Sequence, residues 1–244
     1  MSYSEDVMRL TEEVKRTALS SGAELVGIIS TESIDAVPGH WVGWEVQEYT
    51  KRSTDFMDDP RSIVVLGYHA WDDVHEIAIH RGDVTEYPAY HRMRLYARRV
   101  LRFLQGRGHN ANVYPSLLSQ KRMAQLAGLG GFGKNSLIIN PRYGPWVRLQ
   151  SILTDAELVP DAPFEEDLCG DCVKCIEACP VGALTPYKVD PDKCLLGVYM
   201  SIRDDPEFQS ILAEHMPRLT KNSVLMCMTC QTACPYGREE RGML

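Results

Sequence analysis

All eight cysteines of this 244-residue chain lie after position 168, and four of them form one run, Cys169-x2-Cys172-x2-Cys175-x3-Cys179-Pro180. A shorter run, Cys227-x2-Cys230-x3-Cys234-Pro235, repeats its ending, with Val224 where a first cysteine would stand. Cys194 lies alone between the two. Four thiolates hold a cubane 4Fe-4S cluster, and in two-cluster proteins the fourth cysteine of such a run ligates the other cluster. That crossing rule predicts one cluster on Cys169, Cys172, Cys175 and Cys234 and a second on Cys179, Cys194, Cys227 and Cys230, which uses every cysteine. Cys-x2-Cys pairs also build zinc ribbons, so two structural zinc sites are the competing reading. The repeated x3-Cys-Pro ending and the isolated Cys194 favour iron and sulfide.

The N-terminus, MSYSEDVMRL, is acidic where a signal peptide is basic, and no apolar run reaches the ~18 residues of a membrane span. These features predict a cytoplasmic protein with no membrane contact, a compartment where cysteines serve as metal ligands more often than as disulfides. A net charge of −7 (26 basic and 33 acidic residues) disfavours broad nucleic-acid binding and points to a small-molecule substrate with protein electron donors.

The cysteine-free part precedes a Pro- and acid-rich stretch, LVPDAPFEED, which sets a boundary near residue 160 and predicts domains over 1–160 and 161–244. In the first, helix and strand signals alternate. Val7, Leu10, Val14 and Leu19 predict a helix that Gly22 ends, and AELVGII (23–29) and SIVVLGY (62–68) predict strands. Residues 90–104 place Met93, Tyr96, Ala97, Val100, Leu101 and Leu104 on one helix face and Arg94, Arg98, Arg99 and Arg102 on the other, read as a solvated face. NANVY (110–114), SLIIN (136–140) and WVRLQSIL (146–153) predict strands, and SLLSQKRMAQLAG (116–128) a helix, an alternation that implies an α/β layered domain.

The segment AGLGGFGKNSLIIN contains Gly128, Gly130 and Gly133 in G-x-G-x-x-G spacing, but a helix signal precedes it and no acid follows about 20 residues on, so a dinucleotide site is disfavoured. Asn135 stands where a P-loop needs Ser or Thr. The glycines mark a place where backbone comes close to something, because no side chain intervenes.

The series AGLGGFGKNSLIINPRYGPWVRLQSILTD, CGDCVKCIEACPVGAL and CMTCQTACP closely resembles the epoxyqueuosine reductases, relatives of the corrinoid reductive dehalogenases. RSIVVLGY and YHRMRLYARRVLRFL resemble that family's strand and following helix. The resemblance implies an α/β (α+β) nitroreductase-like cobalamin-binding domain followed by a bacterial-ferredoxin-like domain with two 4Fe-4S clusters, fed by a ferredoxin or flavodoxin. It implies corrin contacts from the glycine turn, Gly130, Gly131, Phe132 and Gly133 with Lys134, Asn135 and Ser136, and from Arg148 and Arg52. It also implies that the cluster including Cys234 is the inner one. Asp73-x-His75-x-x-Ala78 touches a D-x-H-x-x-G corrinoid motif of other proteins and is read as chance.

Three departures shape the functional expectation. The family's proton-donating aspartate, fourteen residues before the glycine that opens the turn, corresponds to Tyr114. A phenol is a competent general acid when its surroundings lower its pKa from about 10, so Tyr114 is the expected donor. Gly131-Phe132 replaces a Trp-containing pair, and the chain stops at Leu244 without the helical-repeat extension of tRNA-modifying members. The expectation is therefore a corrinoid-dependent reductase of a small molecule, dehalogenase-like. A tRNA-acting epoxyqueuosine reductase and a plain 4Fe-4S electron carrier or activator of another corrinoid protein are the alternatives.

Overall fold

The computed structural model describes residues 3–37, 51–82, 84–113, 118–198 and 206–243. α1 (Glu5–Ser20) starts at Ser4, whose hydroxyl accepts from the Val7 amide, and leads to β1 (Leu25–Ser30) and α2 (Thr31–Asp35). β2 (Ser62–His69) follows, then the hairpin β3 (Ile77–Arg81) and β4 (Val84–Glu86), α3 (Pro88–Gly106), β5 (Ala111–Val113) and α4 (Gln120–Leu126). The two-residue strands β6 (Gly131–Phe132) and β7 (Ile138–Ile139) precede β8 (Val147–Thr154). The cysteine-bearing part contains α5 (Lys174–Glu177), β9 (Leu184–Thr185), β10 (Lys188–Val189), α6 (Leu195–Val198), α7 (Pro206–His215), β11 (Arg218–Thr220), β12 (Ser223–Leu225) and α8 (Thr229–Thr232).

The main sheet is antiparallel with strand order β1-β2-β8-β5. β2 is apolar along nearly its whole length because it is buried on both faces. Val64, Leu66 and Tyr68 pack with Val14 of α1 and with Met93, Ala97, Val100 and Leu104 of α3. Ile63 and Val65, pointing the other way, pack with Ile34 of α2 and with Met123 and Ala124 of α4. The result is a mixed α/β three-layer arrangement. Apolar residues of α3 recur every three or four positions because only one side of that helix meets the sheet.

A second sheet, order β11-β12-β3-β4, joins strands from both sides of residue 160, with Val224 opposite Ala78. Neither hairpin was expected from the sequence. The expected strand 136–140 is only the pair Ile138–Ile139, folded back on Gly131–Phe132, because the Gly133 amide bonds the Leu137 carbonyl and closes a tight turn. Among the described residues no helix is long and apolar enough to cross a membrane.

Behind Cys234 the chain is fastened to the first part by backbone against backbone. Gly237, at φ 75°, lies so close to Tyr143 that an added Cβ would meet its carbonyl oxygen at 2.2 Å. Gly237→Ala should therefore cost at least about 1 kcal/mol through φ strain, plus the clash. Gly242, at φ 69° with open space around it, controls for strain alone. Thermal unfolding should show the larger Tm loss for Gly237→Ala, and equal losses would contradict the close approach.

Candidate functional site

The two short helices α5 and α8 pack on each other and bring the two cysteine runs together. Cys169, Cys172, Cys175 and Cys234 line one cavity, walled on the other side by Lys134 and Asn135. The Lys134 amide donates to Cys169 Sγ (3.4 Å) and its Nζ to the Gly170 carbonyl (2.6 Å), and Asn135 Nδ2 reaches the Cys230 carbonyl (3.4 Å). Burial raises the thiol pKa of Cys230, and Cys227, Cys194, Cys175 and Cys179 beside it add to the rise. Burial likewise pushes Cys234 up to about 11, with Cys169, Cys175 and Cys172 as its charged neighbours. Four of the cysteines, Cys169, Cys172, Cys175 and Cys234, thus share one cavity, and Cys230 lies among Cys227, Cys194, Cys175 and Cys179.

Four thiols crowded into a dehydrated space suit a group that takes them all as thiolates, since metal ligation deprotonates a coordinating thiol. Among the described residues no three His, Cys, Asp or Glu side chains converge as ligands of one metal ion. The thiolates around a cubane bind four separate irons and stand wider apart than around a single ion.

Beside this region lies a groove made of two adjoining cavities of about 530 and 220 Å³, which share Tyr90, Arg148, Leu196 and Met226. Its wall toward the cysteines is built from Leu196, Met226 and Gln231, the chain neighbours of Cys194, Cys227 and Cys230. Leu196, Met226 and Gln231 thus link the groove to the chain around Cys194, Cys227 and Cys230. β12 pairs with β3, and Met226, just past it, reaches the groove wall.

Arg148, on β8, crosses this groove. It pairs with Glu76, which is nearly fully buried, and its guanidinium lies 5.5 Å from the centre of the Tyr90 ring. Burial works against the Arg148 charge, but Glu76 and Tyr90 outweigh it and its pKa stands above the ordinary arginine value. Among the described residues, three buried polar atoms on groove residues have no hydrogen-bond partner: Arg148 Nε, Gln120 Oε1 and Gln150 Oε1. An unpaired buried polar atom costs about 1–3 kcal/mol, so these mark where a polar ligand would bond. Lys121 also faces the groove, its Nζ on the Ser136 carbonyl (2.6 Å), and burial lowers its pKa to about 8.

The other expected site residues are placed as follows. Gly130, Gly131 and Gly133 give up their Cβ space to the chain itself, to Ile139 and to the Glu166 carbonyl, and the Phe132 ring lies under Arg122. Lys134 and Asn135 wall the thiolate cavity, Ser136 holds Lys121, and Arg52 caps the turn Ser53–Asp55. Of the expected corrin contacts, Arg148 lines the groove. Tyr114 lies outside the described residues. Sequence reasoning missed Glu76, Tyr90, Gln120, Lys121 and Gln150. Gln150 had a signal, a polar residue in the middle of the apolar strand WVRLQSIL.

A family model described as a 4Fe-4S double cluster binding domain matches residues 168–237. An epoxyqueuosine reductase of Leadbetterella byssophila is 26% identical over 246 residues, covering 93% of this chain and 79% of that protein. One from Listeria monocytogenes is 40% identical over 122 residues, 50% of this chain and 30% of its own length. The chain resembles epoxyqueuosine reductases over nearly its whole length. The solved epoxyqueuosine reductase of Bacillus subtilis superposes with a TM-score of 0.72 at 22% identity, covering 95% of this chain and 66% of that one. An epoxyqueuosine reductase solved with an epoxyqueuosine-modified tRNA-Tyr stem loop gives 0.72 at 24% identity, with the same coverage. A catabolic reductive dehalogenase gives 0.65 at 21% identity, covering 98% of this chain and 34% of that one. The matches span about a third of the length of the first curated relatives and about two thirds of the epoxyqueuosine reductase structures.

Two expectations are corrected by these findings. Small-molecule, dehalogenase-like reduction as the main activity is overturned by curated relatives named epoxyqueuosine reductase. The exclusion of nucleic acid is overturned by the neighbour that holds a tRNA stem loop. The error had a physical source: a net charge of −7 is a sum over the chain and says nothing of where positive charge gathers.

Two predictions follow from the site geometry. Arg148→Met should destabilise by about 3–5 kcal/mol by stranding Glu76 without its partner, and adding Glu76→Leu should recover most of that loss. Denaturant titration of the single and double variants checks it. His69 and His75 line a smaller cavity next to Arg148, and burial lowers the pKa of each. With folded-state values below the unfolded ~6.5, their contribution is complete above that pH and is lost as pH falls through the folded-state pKa. His75→Gln should flatten the decline in stability measured from about pH 7 to pH 5.

Proposed function

We propose that this chain is a cytoplasmic oxidoreductase that reduces epoxyqueuosine in tRNA. In this reading residues 1–160 form a corrinoid-binding part and residues 161–244 a ferredoxin-like part with two 4Fe-4S clusters, on Cys169, Cys172, Cys175 and Cys234 and on Cys179, Cys194, Cys227 and Cys230. The observation that carries it is the groove beside the cysteine region, rimmed by buried polar atoms without a partner among the described residues.

That groove fits a corrinoid on its chemistry: a large planar face would meet Leu149, Leu196 and Met226, and an amide rim would meet Gln120, Gln150 and Arg148. A bound corrinoid would supply a low-potential centre for two-electron reduction, recharged one electron at a time by the clusters. The chain's own residues do the rest. Glu76 fixes Arg148, so that one cation stands at the groove without swinging. Tyr90, under the guanidinium, excludes water from the pair. Reduction of an epoxide to an alkene takes up two electrons and two protons and releases the oxygen as water, and Tyr114 is the proposed donor of one of those protons. Electrons would enter from a ferredoxin or flavodoxin at the outer of the two clusters.

Reconstitution with iron, sulfide and cobalamin should yield one corrinoid and about eight iron atoms per chain. The loaded protein, given a reductant and an epoxyqueuosine-bearing tRNA stem loop, should yield a product one oxygen lighter by mass spectrometry. Full loading without conversion would sink the reading. Tyr114→Phe should abolish turnover and leave the corrinoid and cluster spectra intact. Cys234→Ser should halve the iron content.

A further inference from the structure

α3 contains five arginines and no aspartate or glutamate, inside a chain whose net charge is −7. Two of the five are engaged with a neighbour: Arg92 donates to the Tyr96 hydroxyl (2.7 Å), and Arg92 and Arg99 both lie over the Tyr96 ring. Arg107, just past the helix, pairs with Glu13 at 2.7 Å. Arg94, Arg98 and Arg102 differ. All three are exposed, and among the described residues none makes an ion pair or a ring contact. They stand four residues apart on one face, at steps of about 6 Å along the axis.

This row has a direction. Its first member, Arg94, lines the mouth of the larger groove cavity together with His91, Tyr87 and Tyr90. From there the row runs outward along the helix surface, with Leu95, also exposed, beside it. The positive end of the α3 dipole lies at that same mouth, since Pro88 opens the helix. A polyanion whose one residue enters the groove would therefore meet a rising positive potential at the entrance and a line of guanidinium forks beyond it. Guanidinium groups bind phosphate bidentately, and phosphate contacts fix register without reading sequence.

We propose that Arg94, Arg98 and Arg102 form a phosphate-binding row that holds the RNA backbone next to the nucleoside inserted in the groove. The inference rests on the tRNA reading above and adds the surface that orients the substrate. These residues position the RNA; none of them touches the reacting atoms. Glu86, at the same mouth and 4.0 Å from His91, bounds the row on that side and keeps the backbone on the α3 face.

The test uses the loaded full-length chain and an epoxyqueuosine-bearing tRNA stem-loop RNA, with binding measured by fluorescence anisotropy across a salt series. Each phosphate contact contributes about 0.7 to 0.9 to the slope of log K against log salt, so the R94Q/R98Q/R102Q variant should lose about 2 to 3 from that slope. KM for the RNA should rise while kcat at saturating RNA and the cluster spectra stay those of the wild type. A merely structural role would lower thermal stability and leave the slope unchanged. If the wild type converts the RNA and the variant keeps its slope, the row is not the phosphate site and the functional reading stands. If the wild type neither binds nor converts the RNA, the functional reading falls and takes the row with it.

Discussion

The pairing of β12 with β3 is the constraint on which the rest of the site depends. Val224 opposite Ala78 fixes the register, and the Met226 amide extends it by donating to the Glu76 carbonyl. A slip of one residue would turn every side chain of β12 to the other face. Cys227 and Cys230 follow directly, so their distance from the groove is set by main-chain hydrogen bonds to an element of the first part of the chain. Glu76 stands at the start of β3, which means that the backbone holding the thiolates also holds the carboxylate that fixes Arg148.

Around that pairing the contacts are redundant. Arg241, near the end of the chain, pairs with Asp73 and lies 4.3 Å from the centre of the buried Trp146 ring, and Arg142 pairs with Glu240. Gly144 and Gly237 let two backbones touch where any side chain would separate them. On the far side of the molecule, Asp161 accepts from the Ile28 amide and from Lys15, which ties the segment before the first cysteine to the edge strand β1. The cysteine segment is thus held at several points along its length. This clamping fixes the cysteine segment against the first part of the chain without a separate linker.

Charge distribution follows the same logic of local against global. The chain is acidic overall, yet the helix beside the groove mouth is purely basic in its charged residues. Tyr96 and Glu13 engage Arg92, Arg99 and Arg107 and leave Arg94, Arg98 and Arg102 without an ion pair or ring contact among the described residues. Net charge governs solubility and long-range attraction, whereas binding a single strand depends on a few cations within about one Debye length of it, ~8 Å at physiological salt.

The sequence by itself determined what depends on neighbours along the chain. Cysteine spacing specified a cluster-binding segment, which the family model over residues 168–237 matches, and apolar spacing at Met93, Ala97, Val100 and Leu104 specified the buried face of α3. The continuous apolar run of β2 specified a strand buried on both sides. Only the tertiary structure decided that Met226, beside Cys227, reaches the groove, that the glycine turn packs against Ile139 and the chain at 166, and that Gln120, Gln150 and Arg148 meet around one space. The physical reason is that these facts depend on strand pairing between segments far apart in sequence. β12 finds β3 through long-range backbone bonds and shared burial, and neither strand carries within its own three to five residues any signal of its partner.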